Sequence, residues 1–200
     1  LAVAFAFFGI AAAAGVSIVA LTGFWWMLAV GAVAIAAAWF YTGGRRPYGY
    51  AGLGEVMVFI FFGLIATVGT TYVQTGQFSQ ESLIGGIGIG LISCAVLVVN
   101  NIRDIETDTR AGKKTLAVRM GRMPSAVLFC FLMLLPFGVV IYLGLFYSAA
   151  FLTYFALLAA LPSCLITVTS KSAKEYVLAL KLSSLTGLLY GLGLAFAFFV

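Results

Sequence analysis

Seven stretches of mainly apolar residues divide the chain, at roughly 1–22, 24–41, 55–73, 82–99, 124–146, 149–169 and 182–200, and between them they hold almost no charge. A helix needs about 20 such residues to cross the hydrocarbon core of a bilayer. In that medium an unpaired peptide group costs several kcal/mol, so a spanning segment must satisfy its backbone internally. The runs are continuously apolar and do not alternate, which argues against a β-barrel. The spacing therefore predicts an all-α, multi-pass transmembrane helix bundle with seven helices. Composition agrees: 64% of residues are hydrophobic and 8% charged, against about 25% charged in a soluble domain. Within the bundle, Gly86 and Gly90 form a small-xxx-small pair suited to close helix contact, and Pro136 and Pro162 are expected to kink their helices.

The charges give an orientation. Arg45 and Arg46 follow the second stretch. Arg103, Arg110, Lys113, Lys114, Arg119 and Arg122 follow the fourth, and Lys171, Lys174 and Lys181 the sixth. These are all eleven basic residues, and the alternate connections carry none. The positive-inside rule puts the basic connections in the cytoplasm and residue 1 on the same side. Trp25, Trp26, Tyr72 and Tyr147 then fall at the opposite interface, as an aromatic belt would. The net charge of +5 is accounted for by topology and does not indicate nucleic-acid binding. Cys94, Cys130 and Cys164 stand singly in apolar runs without metal-ligand spacing. The chain has no histidine, the commonest general base.

Chemistry gathers where the fourth stretch ends, in Asn100-Asn101-Ile102-Arg103-Asp104-Ile105-Glu106-Thr107-Asp108-Thr109-Arg110. Asp104 and Asp108 are the only aspartates in the chain. Spaced i, i+4, they share one helical face with Asn100, and Asn101 lies beside them. Carboxylates are disfavoured at a helix C-terminus, where the dipole is negative. A hard divalent cation such as Mg²⁺, which takes oxygen ligands, would resolve that conflict. Arg103 and Arg110 could also neutralise the aspartates without a metal, and Glu106 and Arg110 read as an ordinary surface pair. Gly112-Lys113-Lys114-Thr115 and Arg119 follow, and cations beside a carboxylate–metal site suit a diphosphate. A second polar loop, Tyr41 to Glu55, is predicted on the same side. Its Arg45 and Arg46 either contact an anion or simply fix topology. Glu55 reads as an acid favoured by a helix N-terminus.

The run from Asn100 to Asp108, followed by Ala111 to Arg119, resembles the second aspartate-rich motif of the UbiA superfamily of intramembrane prenyltransferases. The Tyr41–Glu55 loop and the tract Gly63 to Gln74 are similar to the menaquinone-pathway branch of that family. The resemblance implies a fold of nine transmembrane helices around a central cavity, of which these would be the last seven. It also implies Mg²⁺-dependent transfer of a polyprenyl group from a polyprenyl diphosphate to an aromatic acceptor, in that branch 1,4-dihydroxy-2-naphthoate, giving demethylmenaquinone. Asp104 and Asp108 would bind the metal, with Asn100 and Asn101 in support. Lys113, Arg119 and Arg45 or Arg46 would meet the diphosphate, and Tyr41 would orient substrate or face the carbocation. The family's first motif carries two further aspartates, which this chain does not hold. Residues 1–200 are accordingly expected to be a single domain lacking two N-terminal helices and that motif, and inactive alone. Rival readings are another aromatic acceptor or a multi-pass transporter. Against the transporter, no stretch has a charge near its centre. The expected setting is a cell membrane with the site loops cytoplasmic.

Overall fold

The computed structural model describes residues 2–45 and 47–200; Leu1 and Arg46 lie outside the described residues. All seven apolar stretches are helical. They are α1 (Ala2–Thr22), α2 (Met27–Thr42), α3 (Gly54–Thr75), α4 (Gln80–Arg103), α7 (Arg122–Gly144), α8 (Ser148–Thr169) and α9 (Ala173–Phe199). Two short helices, α5 (Ile105–Arg110) and α6 (Leu116–Met120), lie in the connection after α4. Six of the seven long helices have the length and hydropathy to cross a bilayer, and α2, with 16 residues, is shorter. The chain is thus a multi-pass membrane helix bundle.

Helix α4 is the hub, packing against α3, α7 and α9, while α8 closes the far side against α7 and α9. The core between them holds Val98, Val99 and Ile102 of α4, Phe129, Met133 and Val140 of α7, and Tyr190 of α9, each 2% exposed or less. Inside an apolar bundle a hydroxyl needs a partner. The Tyr190 hydroxyl finds one by donating to the Pro136 carbonyl at 3.0 Å.

Contact between α3 and α4 is made at backbone level. Helix α3 contains a π-helical stretch, Phe59–Ile65, with α-helix on either side. Gly63 in that stretch lies against Gly86 and Gly90, and a Cβ added there would stand 2.5 Å from the Gly90 Cα. The small-xxx-small reading of α4 therefore holds, with α3 as the partner. Helices α1 and α2 form a peripheral hairpin: α2 buries no residue and α1 buries Val19. The hairpin touches α3 through Phe24 and Trp26, whose rings lie 4.9 and 5.4 Å from that of Tyr72. Two cavities open between the hairpin and α3, of about 740 Å³ and about 600 Å³.

Three expectations need correction. Lys174 and Lys181 belong to α9 and not to the loop before it. A capping box of Ser172 and Glu175 starts that helix well ahead of its apolar run. At 1.5 Å per residue, Lys181 then sits about 12 Å along the helix. Secondly, Glu106 is 3.8 Å from Arg122 rather than paired with Arg110, because α7 brings its N-terminus across the short α5. Thirdly, the helix carrying the aspartates is not continuous. It breaks at Asp104, whose backbone (φ −97°, ψ 7°) leaves the helical region between α4 and α5.

Candidate active site

The basic connections after α2 and α4 come together at one end of the bundle. Two hydrogen bonds join them, one from the backbone and one from a side chain. The Lys114 amide donates to the Tyr50 carbonyl at 2.9 Å, and the Arg119 guanidinium donates from Nη2 to the Ala51 carbonyl at 2.8 Å. Arg119 Nε reaches the Lys114 carbonyl at 3.0 Å, so the fork clasps both loops at once. Lys113 Nζ also lies 5.1 Å from the centre of the Tyr50 ring, within cation–π range. Gly52 makes the crossing possible: its φ of +81° is left-handed, and a Cβ there would meet the Lys114 carbonyl oxygen at 3.0 Å.

The two aspartates remain one turn apart despite the break. The Asp108 amide donates to the Asp104 carbonyl at 2.8 Å, an i→i+4 bond that bridges the junction. Their surroundings differ. Asp104 is partly exposed and takes both of its hydrogen bonds, at 2.7 Å each, from its neighbour Arg103. Asp108 is 5% exposed and accepts from Lys113 at 2.8 Å. That bond holds the Lys113 ammonium above the ordinary lysine value, outweighing the opposing effect of burial. Each carboxylate keeps lone pairs beyond those its basic partner uses. Asp104 and Asp108 offer hard carboxylate oxygens, the ligand type that Mg²⁺ takes.

Tyr41 lies in the last turn of α2, beside this group. Its ring packs edge-on to Tyr48 at 5.6 Å, and Glu55, Lys113 and Asp108 all lie within electrostatic reach of its hydroxyl. Tyr48 anchors the loop by donating to the Ala37 carbonyl at 2.7 Å, and burial pushes its phenol up, so it stays a donor. Both tyrosines line the smaller cavity, whose other walls are apolar residues of α2 and α3, including Phe61 and Phe62. A polar rim thus meets an apolar slot. Arg45 is exposed on a bend of the same loop; Arg46 falls outside the described residues.

Asn100 and Asn101 diverge. Asn100 borders a separate cavity of about 500 Å³ between α3, α4 and α9. Asn101 is buried and donates from Nδ2 to Glu55 Oε1 at 3.0 Å. From sequence, Glu55 is expected only as a helix-start acid. It does lie in the first turn of α3, but it is 7% exposed and reaches across to α4. The local signal for a start was present in Leu53-Gly54-Glu55; nothing local named Asn101 as partner. Among the described residues no cluster of three Cys, Asp or Glu side chains forms a complete metal cage.

A sequence model of the UbiA prenyltransferase family matches residues 1–185. The 1,4-dihydroxy-2-naphthoate octaprenyltransferase of Mycobacterium tuberculosis is 47% identical over 141 residues, covering 70% of this chain and 44% of that protein. The proteins of the same name in Haemophilus influenzae and Escherichia coli are 49% and 42% identical over 52% of this chain, covering 34% and 33% of their own lengths. The chain therefore spans less than half the length of these relatives.

Proposed function

The chain belongs to the UbiA prenyltransferase family, and from that premise we propose that it serves the Mg²⁺-dependent transfer of a polyprenyl group from its diphosphate to 1,4-dihydroxy-2-naphthoate. The product of the transfer would be the quinol, demethylmenaquinol, which a separate two-electron oxidation converts to demethylmenaquinone. The observation that carries this reading is the pair Asp104 and Asp108, one turn apart, each beside a cation, under a loop that borders an apolar slot. The relatives' names support the choice of acceptor.

Asp104 and Asp108 would hold Mg²⁺, which, when bound, neutralises diphosphate charge and makes it a better leaving group. Lys113, Arg103 and Arg45 would supply positive charge to the diphosphate oxygens. The cavity lined by Tyr41, Tyr48, Phe61 and Phe62 would take part of the prenyl tail and keep water from the reacting carbon. In the reaction the allylic carbon–oxygen bond breaks and its electron pair leaves with diphosphate. A ring carbon then bonds to the allylic carbon, and the ring carboxylate departs as CO₂, returning its pair to the ring. Tyr41, at the boundary of slot and charge, would face the cationic carbon or the ring. The basic loops would lie on the cytoplasmic side of the membrane, where the positive-inside rule puts them.

The test is direct. Membranes carrying the chain together with the first aspartate motif that its family implies are given a polyprenyl diphosphate, 1,4-dihydroxy-2-naphthoate and Mg²⁺. A prenylated, decarboxylated naphthoquinol should form and should stop forming with chelator. Prenylation of a hydroxybenzoate instead would overturn the acceptor assignment, and no transfer to either would overturn the activity.

A further inference from the structure

Glu55 is a carboxylate buried in the bundle with one side-chain partner, and that partner is a residue of the aspartate motif. Its backbone is held in place. The Cys94 thiol donates to the Glu55 carbonyl at 3.0 Å, and the preceding Gly54 fits so closely that a Cβ there would stand 3.2 Å from Leu97 Cδ2. Burying a carboxylate carries a large desolvation cost, and one amide donor repays little of it. Packing alone does not account for an acid here.

The chemistry of the pair suggests a role. A carboxylate only accepts hydrogen bonds, whereas a carboxamide has one donating end and one accepting end. Facing Glu55, Asn101 must turn its amino group inward, and it does so at 3.0 Å. Its Oδ1 is thereby turned away from Glu55. Asn101 stands three residues before Asp104, a neighbour on the last turn of α4, and Asp108 follows one turn beyond the break. We propose that Glu55 is a positioning residue that fixes the orientation of the Asn101 carboxamide, so that Oδ1 is presented to the cation held by Asp104 and Asp108.

The inference rests on the metal-binding reading of those aspartates and adds a residue from a different helix to it. Glutamine at position 55 keeps the volume and can still hydrogen-bond, but it offers Asn101 either a donor or an acceptor, so the carboxamide is free to turn over. The probe is Mn²⁺ alone, titrated into the purified protein in detergent. Bound metal is read from loss of the free-ion electron paramagnetic resonance signal. Glu55→Gln should weaken Mn²⁺ binding about tenfold at an unchanged melting temperature. Asn101→Ala should weaken it to a similar degree, and the double variant should be no weaker than Asn101→Ala, because Glu55 acts only through Asn101. Asn101→Ser stands in should the alanine variant not fold. Unchanged binding in Glu55→Gln, or effects that multiply in the double variant, would overturn the positioning role. Wild-type protein that takes up no Mn²⁺ would instead sink the metal reading of the aspartates, and this role with it.

Discussion

Gly63 and Gly90 touch through their backbones: a Cβ on Gly63 would stand 2.5 Å from the Gly90 Cα and 2.8 Å from the Gly86 carbonyl oxygen. The contact joins α3, which carries Glu55, to α4, which carries the aspartate motif. The atoms in the way are main chain, so no rotamer change relieves the clash. Gly63→Ala should therefore destabilise the bundle by about 1–3 kcal/mol. Gly85, one position from the contact, has nothing within 4 Å of an added Cβ. Gly85→Ala should leave the detergent melting temperature level or slightly raised, and equal losses in both variants would refute a specific α3–α4 contact.

The two aspartates are expected to matter to turnover and not to folding. Asp104→Asn and Asp108→Asn keep side-chain volume while removing charge. In the protein that also carries the family's first motif, each should reduce Mg²⁺-dependent prenyl transfer about 100-fold or more with normal yield of membrane protein. Near-normal turnover in both would remove them from the site.

Arg119 clasps two loops that are 68 residues apart in the chain. Its grip depends on a planar fork reaching the Ala51 and Lys114 carbonyls together. In Arg119→Ala, amides of residues 48–53 should exchange with solvent faster, by an amount equivalent to about 1–2 kcal/mol of local opening. Lysine should not restore the protection. Hydrogen exchange read by mass spectrometry decides it, and slow exchange in the alanine variant would show the loops held by other contacts.

Lys113 gives a pH signature. Its hydrogen bond to Asp108 raises the folded value above the ordinary 10.5. Folding therefore favours the ammonium, and the contribution is complete below pH 10.5 and lost as pH climbs through the raised folded value. Lys113→Met should lower the melting temperature by a constant amount from pH 6 to 9. The gap should narrow only above 10.5; narrowing near neutrality would contradict the assignment.

The start of α9 tests a local rule. Ser172 and Glu175 form a reciprocal cap, and Glu175 Oε2 accepts from the Ser172 and Lys171 amides at 3.0 and 2.9 Å. Ser172→Ala should cost about 1 kcal/mol, measured by thermal unfolding. Glycine should cost less than alanine, since it leaves the exposed amides open to water.

Helix existence and number were legible without a structure because the cause is local. Any long apolar run in lipid must close its own hydrogen bonds, so each of the seven became a helix whatever it packs against. The pairing of Asp104 with Asp108 was legible for the same reason, since four residues span one helical turn and the Asp108 to Asp104 backbone bond survives the break. Partnership across the chain was hidden. In a soluble helix a polar face marks the outside, but here the lipid side and the protein side are both apolar. Phe62, 65% exposed, and Phe129, fully buried, look alike in sequence. Which helices meet is decided by shape, as where Gly63 lets α3 rest on α4. Only that packing brings Glu55 to Asn101, 46 residues away, and lays Tyr50 and Ala51 beside Lys114 and Arg119.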